Sequence, residues 1–382
     1  MTPVELSSTV LRAVRRAVDA GELDVGVPER AQVVPPGPGG RGDYATNVAL
    51  RLARPAGRPP REVAAILRPH LSEVAGVSRV DITGPGFLNI TVAGRGQALV
   101  GEILRSGSRY GYGMGPTAGL TAGPTAGLTG ELVQLRHPCE VRAAVTGQVL
   151  ARILRSQGAL IRTSCISHTS CTSRTSCEAE TEVEAETEVE AEARSAPTRA
   201  ASLDITLRPL PAGQDPTPLG RDAARWALLY PAPHDRPRIT DEHLVQREGN
   251  PLFRVRYAYA RTRALGRNAA QLGFTGVPGD GDGDGDRDGD GDGETQQNAL
   301  LDALGTYPHA LAAAARHRAP DRLARHLVTV ADALLAFQHT VLPLGEEKPS
   351  AAHRSRLALA EAAGTVLAGG LSLLGIDAPE HL

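Results

Sequence analysis

The chain has 382 residues, enough for two or three domains. Its residues are 41% apolar but only 3% aromatic, so Ala, Leu and Val must do most of the packing, which favours helices. No apolar run reaches the roughly 18 residues of a membrane span and no basic segment leads into an apolar stretch after Met1; neither a transmembrane helix nor a signal peptide is expected, and a cytoplasmic location follows by default. The formal net charge of −2 is unevenly spread. Residues 178–193 and 279–294 hold sixteen of the 43 acidic residues and one of the 41 basic ones, leaving a body of +13 suited to a phosphate-rich partner.

Leu6, Val10, Leu11, Val14 and Val18 recur at helical spacing over 5–19, and Val63, Ile66, Leu67, Leu71 and Val74 do the same over 61–75. Val77–Ile82, the turn Thr83-Gly84-Pro85-Gly86 and Phe87–Val92 predict strand, turn and strand. These elements predict a small α/β domain over 1–110. A repeat linker follows at 111–130, with a tandem octapeptide from Gly115. Over 131–162, Glu131–Leu135 predicts a strand and Val141–Ser156 a helix stopped at Gly158, the opening unit of a nucleotide-binding sheet.

Residues 163–202 predict a low-complexity linker. Cys165, Cys171 and Cys177 sit in a Thr-Ser-Cys repeat of period six, unlike the close cysteine pairs of zinc sites, and Cys139 is isolated. No metal site and no disulfide are expected. The Glu-rich stretch 178–193 and the Gly-Asp stretch 279–294 are too polar to order. The latter also lacks the glutamate that closes a calcium loop at its twelfth position. From Ala223 onward the pattern is helical, at 252–272, 298–317, 320–341 and 351–374, with Gly375 as a C-cap: an α-helical bundle, bounded at 203–382.

Several stretches resemble arginyl-tRNA synthetases, in family order. Gly42-Asp43-Tyr44-Ala45-Thr46-Asn47-Val48-Ala49-Leu50 and Gly84-Pro85-Gly86-Phe87-Leu88-Asn89-Ile90 are similar to that family's N-terminal domain. Gly220–Leu228, Asn250–Phe253 with Tyr257–Arg261, Arg356–Leu359 and Leu371–Glu380 are similar to its anticodon-binding bundle. The resemblance implies an α+β multidomain protein with three parts: a small N-terminal tRNA-contacting α/β domain, a remnant of a Rossmann-like class I core, and a C-terminal all-α bundle of the DALR type.

The middle departs from the family. Val133–Leu135 and Arg142–Leu154 resemble the strand and helix around the family's HIGH loop, but only Arg136-His137-Pro138-Cys139-Glu140-Val141 joins them. His137 lacks the His-x-Gly-His setting, and its reading is an ordinary loop residue. The chain's one lysine, Lys348, lies between C-terminal helices and cannot supply a KMSK loop; after Leu207, where that loop would lie, no lysine stands. Such loops orient ATP phosphates and neutralise charge at the transferred centre. No catalytic, cofactor-binding or metal residue is therefore expected, with ATP entering only under the ligase alternative.

What remains is binding. By resemblance, Phe87 and Asn89 reach a looped-out tRNA base through a ring and an amide, against the alternative of hairpin packing and turn capping. Tyr44 reads as core and Asn47 as a helix-start polar group. Arg254, Arg256, Arg261, Arg263 and Arg267 lie on one helix with Tyr257 and Tyr259 interleaved, a pattern suited to an anticodon loop, with Tyr257 alternatively in the core. Arg322, Arg325 and His326 make a second patch, and Trp226 reads as core. The leading expectation is a tRNA-binding relative without aminoacylation activity. Its partners would be an arginine isoacceptor and an enzyme that uses charged tRNA. The alternatives are a working arginine–tRNA ligase with degenerate motifs, and a protein-interaction module that binds no RNA.

Overall fold

The structure is a computed structural model that describes residues 3–34, 42–113, 132–166, 203–279 and 291–382. The octapeptide repeat, the Glu-rich stretch, the second and third Thr-Ser-Cys copies and most of the Gly-Asp stretch lie outside the described residues. The chain divides into two compact units, one ending at Ala98 and one starting at Leu99.

The first unit holds α1 (Pro3–Asp19), β1 (Val33–Val34), β2 (Tyr44–Thr46), α2 (Val48–Ala56), α3 (Pro60–Ser72), β3 (Val77–Thr83) and β4 (Phe87–Val92). Its strands form an antiparallel sheet in the order β1-β2-β4-β3. Leu6, Val10 and Val14 of α1, Leu52 of α2, Val63, Leu67 and Leu71 of α3, and Leu88 and Ile90 of β4 fill one core. The predicted β3–β4 hairpin is present. Gly86 has φ +138° and a Cβ there would meet the Pro60 carbonyl, so its turn requires glycine. Tyr44 packs against this core as read. Asn47 precedes α2 but makes no side-chain cap.

α4 (Arg95–Ser106) bridges the boundary. Val100, Ile103 and Tyr110 belong to the second core, so that unit begins before the expected limit at 110. Residues 111–113, expected in the linker, are tied to it as well: the Gly113 N–H donates to the Ser156 carbonyl at 2.8 Å.

In the second unit, β5 (Leu132–Pro138), α5 (Val141–Ser156) and β6 (Leu160–Ile166) form a parallel βαβ unit. β7 (Leu203–Thr206) adds a third parallel strand on the other side of β5. Strand β6 takes in the first Thr-Ser-Cys copy, expected in a linker. The expectation for the cysteines also fails: Cys139 and Cys165 are disulfide-bonded, their Cα atoms 5.8 Å apart. The register sets His137 beside Cys165, which brings the residue just past the end of β5 within reach.

The rest is helical: α6 (Gly220–Leu229), α7 (Pro251–Gln271), α8 (Gly291–His317), α9 (Pro320–Phe337) and α10 (Ala351–Leu374). Helix α8 begins inside the stretch expected to be unstructured, at Gly291. Helix α10 starts at a Ser350–His353 capping box and ends at Gly375, in the left-handed conformation (φ +71°), as predicted. It is long and apolar enough to cross a bilayer, but its apolar window is 78% buried within the protein, as expected of a core helix.

His326, expected in a surface patch, is half-buried instead, with Nε2 3.0 Å from the Ala303 carbonyl. Burial holds its pKa below the ordinary value, partly opposed by that hydrogen bond. The unfolded chain therefore binds the proton more readily, and stability falls as pH drops from about 7 through the normal histidine range near 6.5. Thermal unfolding between pH 7.5 and 5.5 checks this. His326→Gln, which keeps a donor for Ala303, is expected to show a shallower loss of stability than the unsubstituted chain.

Candidate nucleic-acid interface

In open parallel sheets, ligands bind beyond the strand C-termini where the chain leaves to opposite sides. Here that point lies between β5 and β7, beside the first turn of α5, whose free N–H groups would attract a phosphate. The chain fills the place itself. Glu140 directs its carboxylate onto those donors, accepting from Arg142 N at 3.0 Å and Ala143 N at 2.9 Å. It also accepts from Ala212 N, beyond β7, at 3.3 Å.

Arg142, one residue into α5, is 1% exposed. Its Nε donates to the Leu228 carbonyl at 3.0 Å. Nη1 donates to Leu210 and Asp235 at 2.7 Å, and Nη2 to Pro231 at 3.0 Å and Ala232 at 2.9 Å. These five bonds use every N–H of the guanidinium. Burial lowers its pKa, while Glu140, Asp235 and Asp321 act in the opposite sense. The segment after β7 and the loop after α6 are thus fastened to the start of α5.

His137 lies in β5, not in a loop. Its Nδ1 is 3.0 Å from the Pro138 carbonyl, and a Cβ at position 147 would fall 2.9 Å from its ring, so Gly147 makes room for it. Glu140 was legible as an acid at a helix start. Arg142 gave no signal, because in sequence it resembles a solvated first-turn residue.

The predicted RNA contacts fare unequally. At the hairpin, Phe87 is 40% exposed at the start of β4. Asn89 is 2% exposed and its amide donates to Thr83 Oγ1 at 2.8 Å, so its polar group is already engaged inside the hairpin. On α7 the arginines form two stripes. Arg254, Tyr257 and Arg261 share one by their three- and four-residue spacing; Arg256, Arg263 and Arg267 share the other.

Most of these arginines are partnered. Arg254 pairs with Asp332 at 2.7 Å, Arg256 with Asp222 at 3.7 Å and Arg263 with Glu380 at 3.0 Å, while Arg261 donates to Gln338 at 2.8 Å. Arg267 is exposed and has no partner among the described residues. Tyr257 is 37% exposed, not in the core, and stacks on Phe253 with ring centroids 5.5 Å apart. Its stripe therefore presents an aromatic face flanked by two cationic groups, a combination suited to stacking bases and holding phosphates. In the second patch, Arg325 pairs with Asp321 at 3.6 Å and covers Tyr230, and Arg322 is exposed with no ion pair among the described residues. Trp226 is fully buried, as expected.

Family models match at both ends: the arginyl tRNA synthetase N terminal domain at residues 5–92 and the DALR anticodon binding domain at 255–382. An arginine–tRNA ligase of Pseudarthrobacter chlorophenolicus is 28% identical, with both chains covered in full over 561 aligned positions. Since this chain has 382 residues, at least 179 of those positions have no counterpart here. The arginine–tRNA ligase of Renibacterium salmoninarum is 42% identical over 167 residues, which is 42% of this chain and 30% of that protein. Among solved structures, an arginyl-tRNA synthetase from Plasmodium falciparum has the same fold at 9% identity, with both chains covered in full and a TM-score of 0.54.

Proposed function

Because this chain belongs to the arginyl-tRNA synthetase family, we propose that it binds tRNA through its two terminal units and does not activate arginine. The observation that carries the second half is the edge of the parallel sheet. Glu140 occupies the helix start where a nucleotide phosphate would rest, and Arg142 fastens the neighbouring loops over it. A phosphate arriving there would meet a carboxylate, not free N–H groups, and like charges repel. The departures from the HIGH and KMSK patterns, and a sheet of three strands among the described residues, support the same reading.

The binding half rests on the exposed Phe87, on the Arg254–Tyr257–Arg261 stripe, on Arg267 of the other stripe, which has no partner among the described residues, and on the positive body. The partner is tRNA, an arginine isoacceptor, held in the cytoplasm for delivery to an enzyme that consumes charged tRNA. Filter retention of tRNA against a DNA duplex of equal length tests this, from 50 to 200 mM salt. Selective retention of tRNA that weakens steeply with salt is expected; equal, weak retention of both would remove the claim. Phe87→Ala should leave stability unchanged, since the ring is exposed, and weaken tRNA binding by about 1–2 kcal/mol, the size of one lost stacking contact. Unaltered affinity would take Phe87 out of the interface.

A further inference from the structure

A cavity of about 780 Å³ opens in the second unit at the C-terminal ends of α5 and α10, on Arg109, Tyr112, Arg152, Arg155, Arg221 and Asp377 among others. Cavities of roughly 300–1,000 Å³ take small molecules. Its four guanidinium groups face a single carboxylate. The side chains of Arg109, Arg152 and Arg221 have neither an ion pair nor a hydrogen bond among the described residues, and that of Arg155 has only the Ile161 carbonyl, at 3.3 Å.

Arg152 is the informative group. Its Nη1 is buried without an acceptor, an unfavourable state for a charged donor. It lies with the Arg225 guanidinium against Gly375, where any Cβ would collide with both. Arg225 is accounted for: it donates to the Leu374 carbonyl at 3.1 Å and to Gln148 Oε1 at 3.3 Å. The helix ends therefore explain Arg225 and leave the other arginines unexplained. On the cavity wall, burial raises the pKa of Tyr112, and the charge of Arg109 acts against that shift.

We propose that this pocket binds the phosphate of a multiply charged anion, with Arg109, Arg152 and Arg221 as its ligands. Guanidinium groups are matched to phosphate oxygens in charge and in paired hydrogen-bond geometry. An acceptor arriving at Arg152 satisfies the buried donor and neutralises the crowding of like charges around Gly375. The site lies at the C-terminal end of α5, away from the filled first turn, so it is separate from the nucleotide position of the parallel sheet.

The test uses the full chain with inorganic pyrophosphate as probe, read by calorimetry and thermal shift. Arg109→Gln with Arg221→Gln changes two exposed residues and is expected to fold normally; Arg58→Gln with Arg61→Gln, elsewhere on the surface, is the charge-matched control. The expected result is saturable binding, weakened at least tenfold in the Arg109/Arg221 variant and unchanged in the control. Absent binding, or equal loss in both variants, overturns the site. A parallel tRNA titration separates the two sources of phosphate. Unchanged tRNA affinity in the Arg109/Arg221 variant assigns the pocket to a free anion, and a matching tenfold loss assigns it to the RNA backbone. If tRNA fails to bind the unsubstituted chain, the pyrophosphate arms still decide the pocket.

Discussion

Replacing Arg142 with alanine is expected to cost the second unit on the order of 4–5 kcal/mol and to leave it largely unfolded at 37 °C. The side chain is almost wholly buried, and its five donors serve five carbonyls, at Leu210, Leu228, Pro231, Ala232 and Asp235. Truncation leaves four of those acceptors without a donor among the described residues, in a volume too enclosed for each to recruit water; the Ala232 carbonyl keeps the Asp235 N–H at 2.9 Å. Each unsatisfied group costs about 1–3 kcal/mol before relaxation, and the bonds are not additive. Arg142→Lys should recover less than half, since an ammonium has three donors and no planar fork. Trp226 is the only tryptophan and belongs to the same core, so its fluorescence in a urea titration follows this unit directly. An unchanged midpoint would mean that the carbonyl network is incidental.

Trp226→Ala is the second large effect, about 3–5 kcal/mol. The indole is fully buried in α6 and stacks on Tyr230 at a centroid distance of 5.2 Å, in a core built mostly from Leu, Val and Ala. Deleting so large a ring from a packed core leaves a cavity that its neighbours only partly fill. The indole N–H has no acceptor among the described residues, so Trp226→Phe removes an unsatisfied donor and should lose clearly less than alanine. Because the first unit has its own core from α1, α2, α3 and β4, its unfolding transition by circular dichroism should persist in both variants. Joint loss of the two transitions would contradict that independence.

The sequence was most legible where one face of an element is apolar. Val141–Ser156 and Ala351–Leu374 are helices at the limits their periodicity predicts, and the β3–β4 hairpin follows from its Gly-Pro-Gly turn. Legibility failed where order depends on distant partners. Strand β6 is mostly exposed, and its Thr163-Ser164-Cys165 is the first copy of the repeat, so its pattern does not alternate as a half-buried strand would; it pairs along its length with β5. The three residues of β2 are too few to show alternation. The disulfide was hidden because its cysteines lie 26 residues apart and meet through a parallel register.

The site divides along the same line. Residue type and spacing located the α7 cluster but not its carboxylate partners. Asp222, Asp332 and Glu380 come from other parts of the bundle, and they turn Arg254, Arg256 and Arg263 from free cations into paired ones. For Asn89 the resemblance implies a base contact and the local reading a turn cap; the cross-strand geometry gives its amide to Thr83. The closure of the sheet edge by Glu140 and Arg142 draws on contacts 68 to 93 residues away, beyond the range of any local pattern.

The most direct measurement is arginine-dependent ATP–pyrophosphate exchange by the purified full chain, run in the presence of saturating tRNA whose binding is confirmed in the same preparation. A chain whose nucleotide position is filled by its own Glu140 should bind the tRNA and give exchange no higher than a reaction without arginine. Exchange above that background, retained on repurification and abolished by His137→Ala, would contradict the account.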